Sequence, residues 1–172
     1  MFAIVFAIVC GISALVYGVW ASGTVLKAPA GTPRMQEIAA AIQEGASAYL
    51  NRQYRTIAIV GAVIVVILVF ALGVKVGIGF VIGAVLSAAT GYIGMHVSVR
   101  ANVRTAEGAR KGLRHALGLA FRAGAVTGML VVGLALLAVT GYYAVLLAIG
   151  ASGRETVDAL VALGFGASLI SI

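Results

Sequence analysis

The chain of 172 residues is 62% hydrophobic and 10% charged, with 12 Lys and Arg against 5 Asp and Glu and a net charge of +7. That balance excludes an ordinary soluble domain, in which about a quarter of residues are charged. A lone cysteine, Cys10, excludes an intrachain disulfide framework and a cysteine metal site. The basic excess does not indicate nucleic acid, because Lys and Arg gather beside apolar runs without the fold cues of a nucleic-acid module.

Residues 1–26, 56–74, 76–99 and 123–153 contain no Lys, Arg, Asp or Glu. Each run supplies the roughly 20 apolar residues that cross a hydrocarbon core. None alternates polar and apolar residues with a period of two, and lipid leaves no partner for an open strand edge, so each is predicted to be a helix. The expected fold is all-α, a polytopic membrane protein with four complete transmembrane helices and the start of a fifth. Its single membrane domain has spans at about 1–26, 56–74, 76–99 and 123–150 and an incomplete one at 157–172. Helical connections are expected at 33–55 and 100–122.

The first run lacks the positively charged flank of a secretory signal, so it reads as a retained span with Cys10 as a small packing residue. In the connection that follows, Thr32 before Pro33 is an N-cap followed by proline at the first helical position. Met35, Ile38, Ile42, Ala46 and Tyr49 then recur at helical spacing, with Gln36, Glu37, Gln43, Glu44 and Arg52 on other faces. No proline interrupts residues 34–74. The amphipathic stretch and the second span therefore form one long helix whose weakest interior point is Gly45. Glu37 and Glu44 lie two turns apart on one face. They are placed to pair with basic residues of the other connection, and they are too few for a metal site.

Gly77, Gly79 and Gly83 in the third run lack the strand-turn-helix context of a phosphate loop. Small residues four apart, Gly73 with Gly77, Gly79 with Gly83 and Gly124 with Gly128, instead permit close helix approach in lipid. His96 is the single ionisable group inside a span. With no carboxylate beside it in sequence, it reads as an interfacial or hydrogen-bonded histidine rather than a proton relay.

The basic connection 100–122 is helix-prone, with Gly108, Gly112 and Gly118 as places for a turn. Its cations and His115 form either a solvated topology signal or a surface for anionic lipid head groups. Glu155 and Asp158, at a helix start, suit the positive end of the helix dipole. Lys27, Arg34, Arg52 and Arg55 precede the second run, and Arg100, Arg104, Arg110, Lys111, Arg114 and Arg122 lie between the third and fourth, while the remaining connections hold only Lys75 and Arg154. The positive-inside rule puts the two basic connections in the cytoplasm and the amino terminus outside. Because residues 159–172 are apolar but fewer than a span requires, the natural polypeptide is expected to continue past Ile172.

Three separated segments carry a family resemblance. Met35-Gln-Glu-Ile-Ala-Ala-Ala-Ile-Gln-Glu-Gly-Ala-Ser-Ala-Tyr-Leu-Asn-Arg-Gln-Tyr54 closely resembles the second-helix region of membrane-bound, pyrophosphate-energised ion pumps. Val99-Arg-Ala-Asn-Val-Arg-Thr-Ala-Glu107 and Ala162-Leu-Gly-Phe-Gly-Ala-Ser-Leu-Ile-Ser-Ile172 resemble that family's third-helix end and fifth-helix start. The resemblance implies a homodimeric, sixteen-helix pump of the plasma (inner) membrane that hydrolyses cytoplasmic pyrophosphate with Mg2+ and drives H+, or less favourably Na+, outward.

In such a pump the first four helices belong largely to an outer ring, and the fifth opens the inner ring that carries the substrate carboxylates, the lysines and the ion gate. The expected arginine and aspartate-rich motif lie beyond Ile172. No catalytic, cofactor-binding or metal residue is therefore assigned to this chain, which by itself is expected to be inactive. Readings of another class are a stand-alone small multi-span transporter and a non-enzymatic membrane scaffold. The first is disfavoured by the short last span and by the lack of a carboxylate inside any span.

Overall fold

A computed structural model describes residues 1–170, and these form five helices: α1 (Phe2–Leu26), α2 (Pro33–Leu72), α3 (Val74–Arg110), α4 (Leu113–Ala148) and α5 (Gly153–Ile170). The first four are long and apolar enough to cross a bilayer. The chain is an all-α, multi-pass membrane protein. Within the spans, hydroxyls find partners one turn back: Ser13 donates to the Val9 carbonyl, Ser22 to Gly18 and Thr90 to Leu86. This is the satisfaction that hydrocarbon, lacking water, requires of polar side chains.

α2 starts as its sequence dictates. The Thr32 hydroxyl accepts from the Met35 amide at 3.3 Å, Pro33 occupies the first turn, and the Gln36 side chain donates back to the Gly31 carbonyl at 2.9 Å. The helix then runs unbroken through Gly45 for 40 residues, about 60 Å at 1.5 Å per residue, or twice a hydrocarbon core. α2 and α3 are joined by a single residue, Gly73, at φ +98, a backbone conformation that residues with a Cβ rarely adopt. α3 continues past the expected span to Arg110, and the turn into α4 falls at Gly112, with φ +118. The connection 100–122 is thus two helix ends folded back on each other, and Gly108 and Gly118 remain helical.

α3 is the hub. It packs along α5, α4 and α2, while α1 lies against α4 on the other side. The stripe Gly11, Ala14, Gly18, Ala21 and Val25 is the buried face of α1. Ala21 joins Val97, Val126 and Leu130 in one cluster, and Val25 joins Ala101 and Ala123 in the next. Toward the other end, Tyr142 and Leu146 of α4 meet Ala159 and Leu163 of α5, and Val76 and Phe80 of α3 meet Ala162. α2 buries only Ala39 and Leu50, and its apolar upper face, ending at Phe70 with 88% exposure, is open. In lipid such a face carries no hydrophobic penalty.

Of the three glycine pairs expected to pack helices, one does so. Gly79 and Gly83 face the α5 backbone, at Ala159 and Leu163. Gly73 is a turn residue rather than a packing one, and Gly77 faces Val69 within the α2–α3 hairpin. A Cβ at Gly124 or Gly128 would meet no atom of another element within 4 Å among the described residues. Spacing alone does not fix which face of a helix meets a neighbour. The stripe on the α4 side that does pack pairs Gly133 with Gly11 and Ala14 of α1.

Candidate functional site

Chemistry-bearing side chains collect at the two ends of the bundle. At the basic end, Arg104 of α3 reaches across to the last turn of α1. Its Nε donates to the carbonyls of Leu26 at 3.2 Å and Ala28 at 3.1 Å, and its Nη2 donates to Leu26 at 3.0 Å. Its Nη1 donates to the Arg100 carbonyl on its own helix at 2.6 Å. A helix ends with carbonyls that lack an intrahelical partner, and a cation there also meets the negative end of the dipole. Arg104 therefore clasps α1 and the α1–α2 connection onto α3, a role that its place in a basic run does not reveal.

One turn on, Glu107 is held by Arg110 at 3.1 Å, with its side chain only 16% exposed. A Cβ on Gly31 would lie 3.1 Å from the Glu107 Oε2 and 2.7 Å from the Met35 Sδ, so the connection presses closely on this ion pair. Glu37 pairs with Arg34 of its own helix at 2.7 Å, both exposed. It does not pair with residues 100–122, because Arg34 lies one turn away and needs no tertiary contact. Glu44 is exposed on α2.

His96 stacks on Tyr92 with ring centroids 4.9 Å apart, and Tyr92 meets Tyr54 of α2 edge-on at 6.1 Å. An aromatic ladder thus ties α2 to α3, and the histidine is one rung of it. Its neighbour Arg100 donates to the His96 carbonyl at 3.1 Å.

At the opposite end Lys75 opens α3 and forms a 2.9 Å salt bridge with Glu155 at the start of α5. Glu155 and Ser152 satisfy each other's backbone: the Ser152 amide donates to the carboxylate at 3.0 Å and the Glu155 amide donates to the Ser152 hydroxyl at 3.3 Å. This is a capping box, legible in the spacing Ser152-x-x-Glu155 although not recognised from the sequence. The Tyr142 hydroxyl of α4 donates to the Lys75 carbonyl, completing a knot of three helices. Asp158 is a looser partner of Arg154 at 3.9 Å.

The Lys75 ammonium, followed by the Ser152 amide, holds the Glu155 carboxyl below its ordinary range. A carboxylate with a depressed folded-state value stabilises above its unfolded value, and the effect fades as pH falls through the folded one. Acidification through and below the ordinary carboxylate range should therefore loosen the α5 start. Glu155→Gln should remove that acid sensitivity, as read by amide exchange at residues 153–158 against pH. A wild-type profile unchanged from neutral to acid would refute the knot.

None of these arrangements assembles a reaction centre. Glu37, Glu44 and Glu107 lie toward one end and Glu155 and Asp158 toward the other. Among the described residues no three His, Cys, Asp or Glu converge as metal ligands. The carboxylates are thus dispersed over the two ends, and no residue of this chain is assigned to Mg2+. What the geometry does provide is a platform, in which α3 carries α5 on one side while Arg104 fixes α1 on another.

Comparison with known proteins agrees with the resemblance of the three segments. The profile of the inorganic H+ pyrophosphatase family matches residues 12–172. A K(+)-insensitive pyrophosphate-energized proton pump of Methanosarcina mazei is 48% identical over 164 residues, covering 94% of this chain and 23% of the relative. The K(+)-insensitive pyrophosphate-energized proton pump 2 of Moorella thermoacetica is 45% identical, covering 94% of this chain and 24% of its own. A K(+)-insensitive pump of Pyrobaculum aerophilum is 36% identical, covering 96% and 24%. The chain thus spans about a quarter of the length of these relatives. With the match running from within α1 through α5, the chain belongs to the inorganic H+ pyrophosphatase family.

Proposed function

We propose that this chain is the outer-helix part of a membrane pump that couples hydrolysis of cytoplasmic pyrophosphate to outward movement of H+, without a requirement for K+. Mg2+ would accompany the substrate, and both would be held by residues outside this chain. The pump would be a homodimer in the plasma (inner) membrane, with the amino terminus outside. The observation that carries the reading is the likeness to proton pumps along nearly the whole chain. Na+ is the less favoured ion, since the relatives compared bear proton-pump names.

The chain's own contribution is mechanical. α3 receives α5 at backbone contact, and the Lys75, Glu155 and Tyr142 knot pins its outer end. α5 is thereby aimed from the outer side inward, toward the face where a soluble anion and its metal ions would arrive. The sidedness rests on the basic connections, which hold all Lys and Arg except Lys75 and Arg154.

The test is pyrophosphate-driven acidification of inverted vesicles carrying the gene product at its natural length. Acidification should require Mg2+ and be indifferent to K+ against a Na+ or choline background. Residues 1–172 expressed alone should hydrolyse no pyrophosphate. Hydrolysis by that piece would place the chemistry in these helices and overturn the scaffold role, while Na+ uptake in place of acidification would overturn the choice of ion.

A further inference from the structure

Beside the Arg104 clasp, the folded-back ends of α3 and α4 enclose an open cleft of about 490 Å³. Its lining includes Arg104, Lys111, Arg114, His115 and Arg122, with Glu107 as the one carboxylate. Glu107 is already engaged by Arg110, and no carboxylate among the described residues forms a salt bridge with Lys111, Arg114 or Arg122. The cleft is thus strongly cationic. Gly118 lies between Arg114 and Arg122 on the same stripe of α4, and a Cβ there would meet nothing within 4 Å, so the floor is open.

Two further features set the chemistry of what enters. Arg122 immediately precedes residues 123–153, the run without charge, so it marks the hydrocarbon boundary, and Arg114 stands about two turns farther out. One step round the helix from the stripe of Arg114, Gly118 and Arg122 runs a second stripe, Leu113, Leu117 and Phe121, which are 73%, 58% and 79% exposed. A cationic groove at the interface, with the exposed Phe121 ring beside Arg122 where the hydrocarbon begins, matches a molecule with an anionic phosphate head and acyl tails. A free phosphate would use the cations and leave that ring without a purpose.

We propose that this cleft binds the phosphate head group of an anionic membrane lipid, with Arg114 and Arg122 as its principal cations, Lys111 in support and the Phe121 ring, beside Arg122 at the hydrocarbon boundary, against the start of an acyl chain. The proposal does not rest on the pump reading, only on the chain being a membrane protein. Bound lipid would bridge the α3–α4 turn to the bilayer and hold it in register with the interface.

Native mass spectrometry of the protein, extracted at natural length in neutral detergent and titrated with phosphatidylglycerol or phosphatidylcholine, tests this. Phosphatidylglycerol should be retained at about tenfold lower concentration than phosphatidylcholine, the scale of one to two charge contacts at an interface. Arg122→Gln should weaken its retention about fivefold. Gly118→Leu, whose Cβ would meet nothing within 4 Å and whose side chain would occupy the cleft, should bring retention to the phosphatidylcholine level with unchanged helical circular dichroism. Arg154→Gln, at the opposite end, should change nothing.

Equal retention of the two lipids, or a preference that survives Arg122→Gln, Arg114→Gln and Gly118→Leu, overturns the proposal. So does displacement of phosphatidylglycerol by millimolar inorganic phosphate that also binds the lipid-free protein, since the site would then take a soluble anion. If Gly118→Leu fails to fold, the two arginine variants decide.

Discussion

Gly83→Ala should cost about 3 kcal/mol or more, although alanine is the better helix former by about 1 kcal/mol. A Cβ at position 83 would lie 2.0 Å from the Leu163 carbonyl oxygen and 2.9 Å from the Ala167 amide nitrogen. Both are backbone atoms of α5, so no rotamer change relieves the overlap and the helices must separate. Separation forfeits dispersion contacts along the whole α3–α5 seam, because a gap of even half an ångström loses a quarter or more of each contact well.

The reverse face shows the same fit, since a Cβ at Gly166 would lie 2.0 Å from the Phe80 carbonyl. Gly124→Ala and Gly128→Ala, which meet nothing within 4 Å, are the controls and should be neutral or mildly stabilising. Thermal unfolding of the purified protein in detergent, with proteolysis of α5 as a local readout, measures both. Because α5 is the helix proposed to lead toward the reaction centre, Gly83→Ala should also depress coupled ion transport by the proposed pump more than it depresses expression. Equal stability of the Gly83 and Gly124 variants would show that α5 does not sit where the structure places it.

How much of this was legible in the sequence depended on whether a feature is local. Runs without charge specify spans because a charge in hydrocarbon is costly wherever the neighbours are. Thr32 and Pro33 specify a helix start because the cap bonds close within three residues. Ser152 and Glu155 are equally local, since their capping bonds also close within three residues. The α3–α5 seat was half legible: Gly79 and Gly83 stood out as small residues four apart, but Gly124 and Gly128 have the same spacing and no partner within reach. The difference lies in where α5 sits, a fact about packing.

Glu37 shows the opposite error. A tertiary ion pair was expected, yet Arg34 one turn away satisfies it at 2.7 Å. His96 stands out as the ionisable group within a span, but its partner is an aromatic ring, Tyr92 one turn back, which in turn meets Tyr54 on another helix, and aromatic contacts between helices leave no spacing signal in the sequence. The basic run 100–122 resisted reading most, because six cations that look alike in sequence divide into different tasks. Arg104 caps a helix, Arg110 holds Glu107, and Lys111, Arg114 and Arg122 line a cleft.

That division is open to test at Arg104. Arg104→Ala should destabilise the chain by about 2–4 kcal/mol, since hydrogen bonds from a charged donor contribute about 1.5–3 kcal/mol each and two helix-end carbonyls lose theirs together. Arg104→Lys should recover less than half. An ammonium is a point donor, whereas the guanidinium fork reaches the Leu26 and Ala28 carbonyls at once while its Nη1 stays on Arg100.

The charge is the same in the lysine variant, so the topology signal is kept and any loss reports the clasp alone. Arg114→Ala, in the same basic run but bound to no backbone carbonyl among the hydrogen bonds described, should stay within about 0.5 kcal/mol. Thermal unfolding supplies the energies, and protease sensitivity of residues 27–32 supplies the location, because an unclasped α1 frees its connection first. If Arg104→Ala and Arg114→Ala behave alike, residues 100–122 act as charge alone and α1 is held by the packing of Gly11, Ala14 and Gly18 on α4. If only Arg104→Ala exposes the connection, one arginine fixes the first helix to the platform that carries α5.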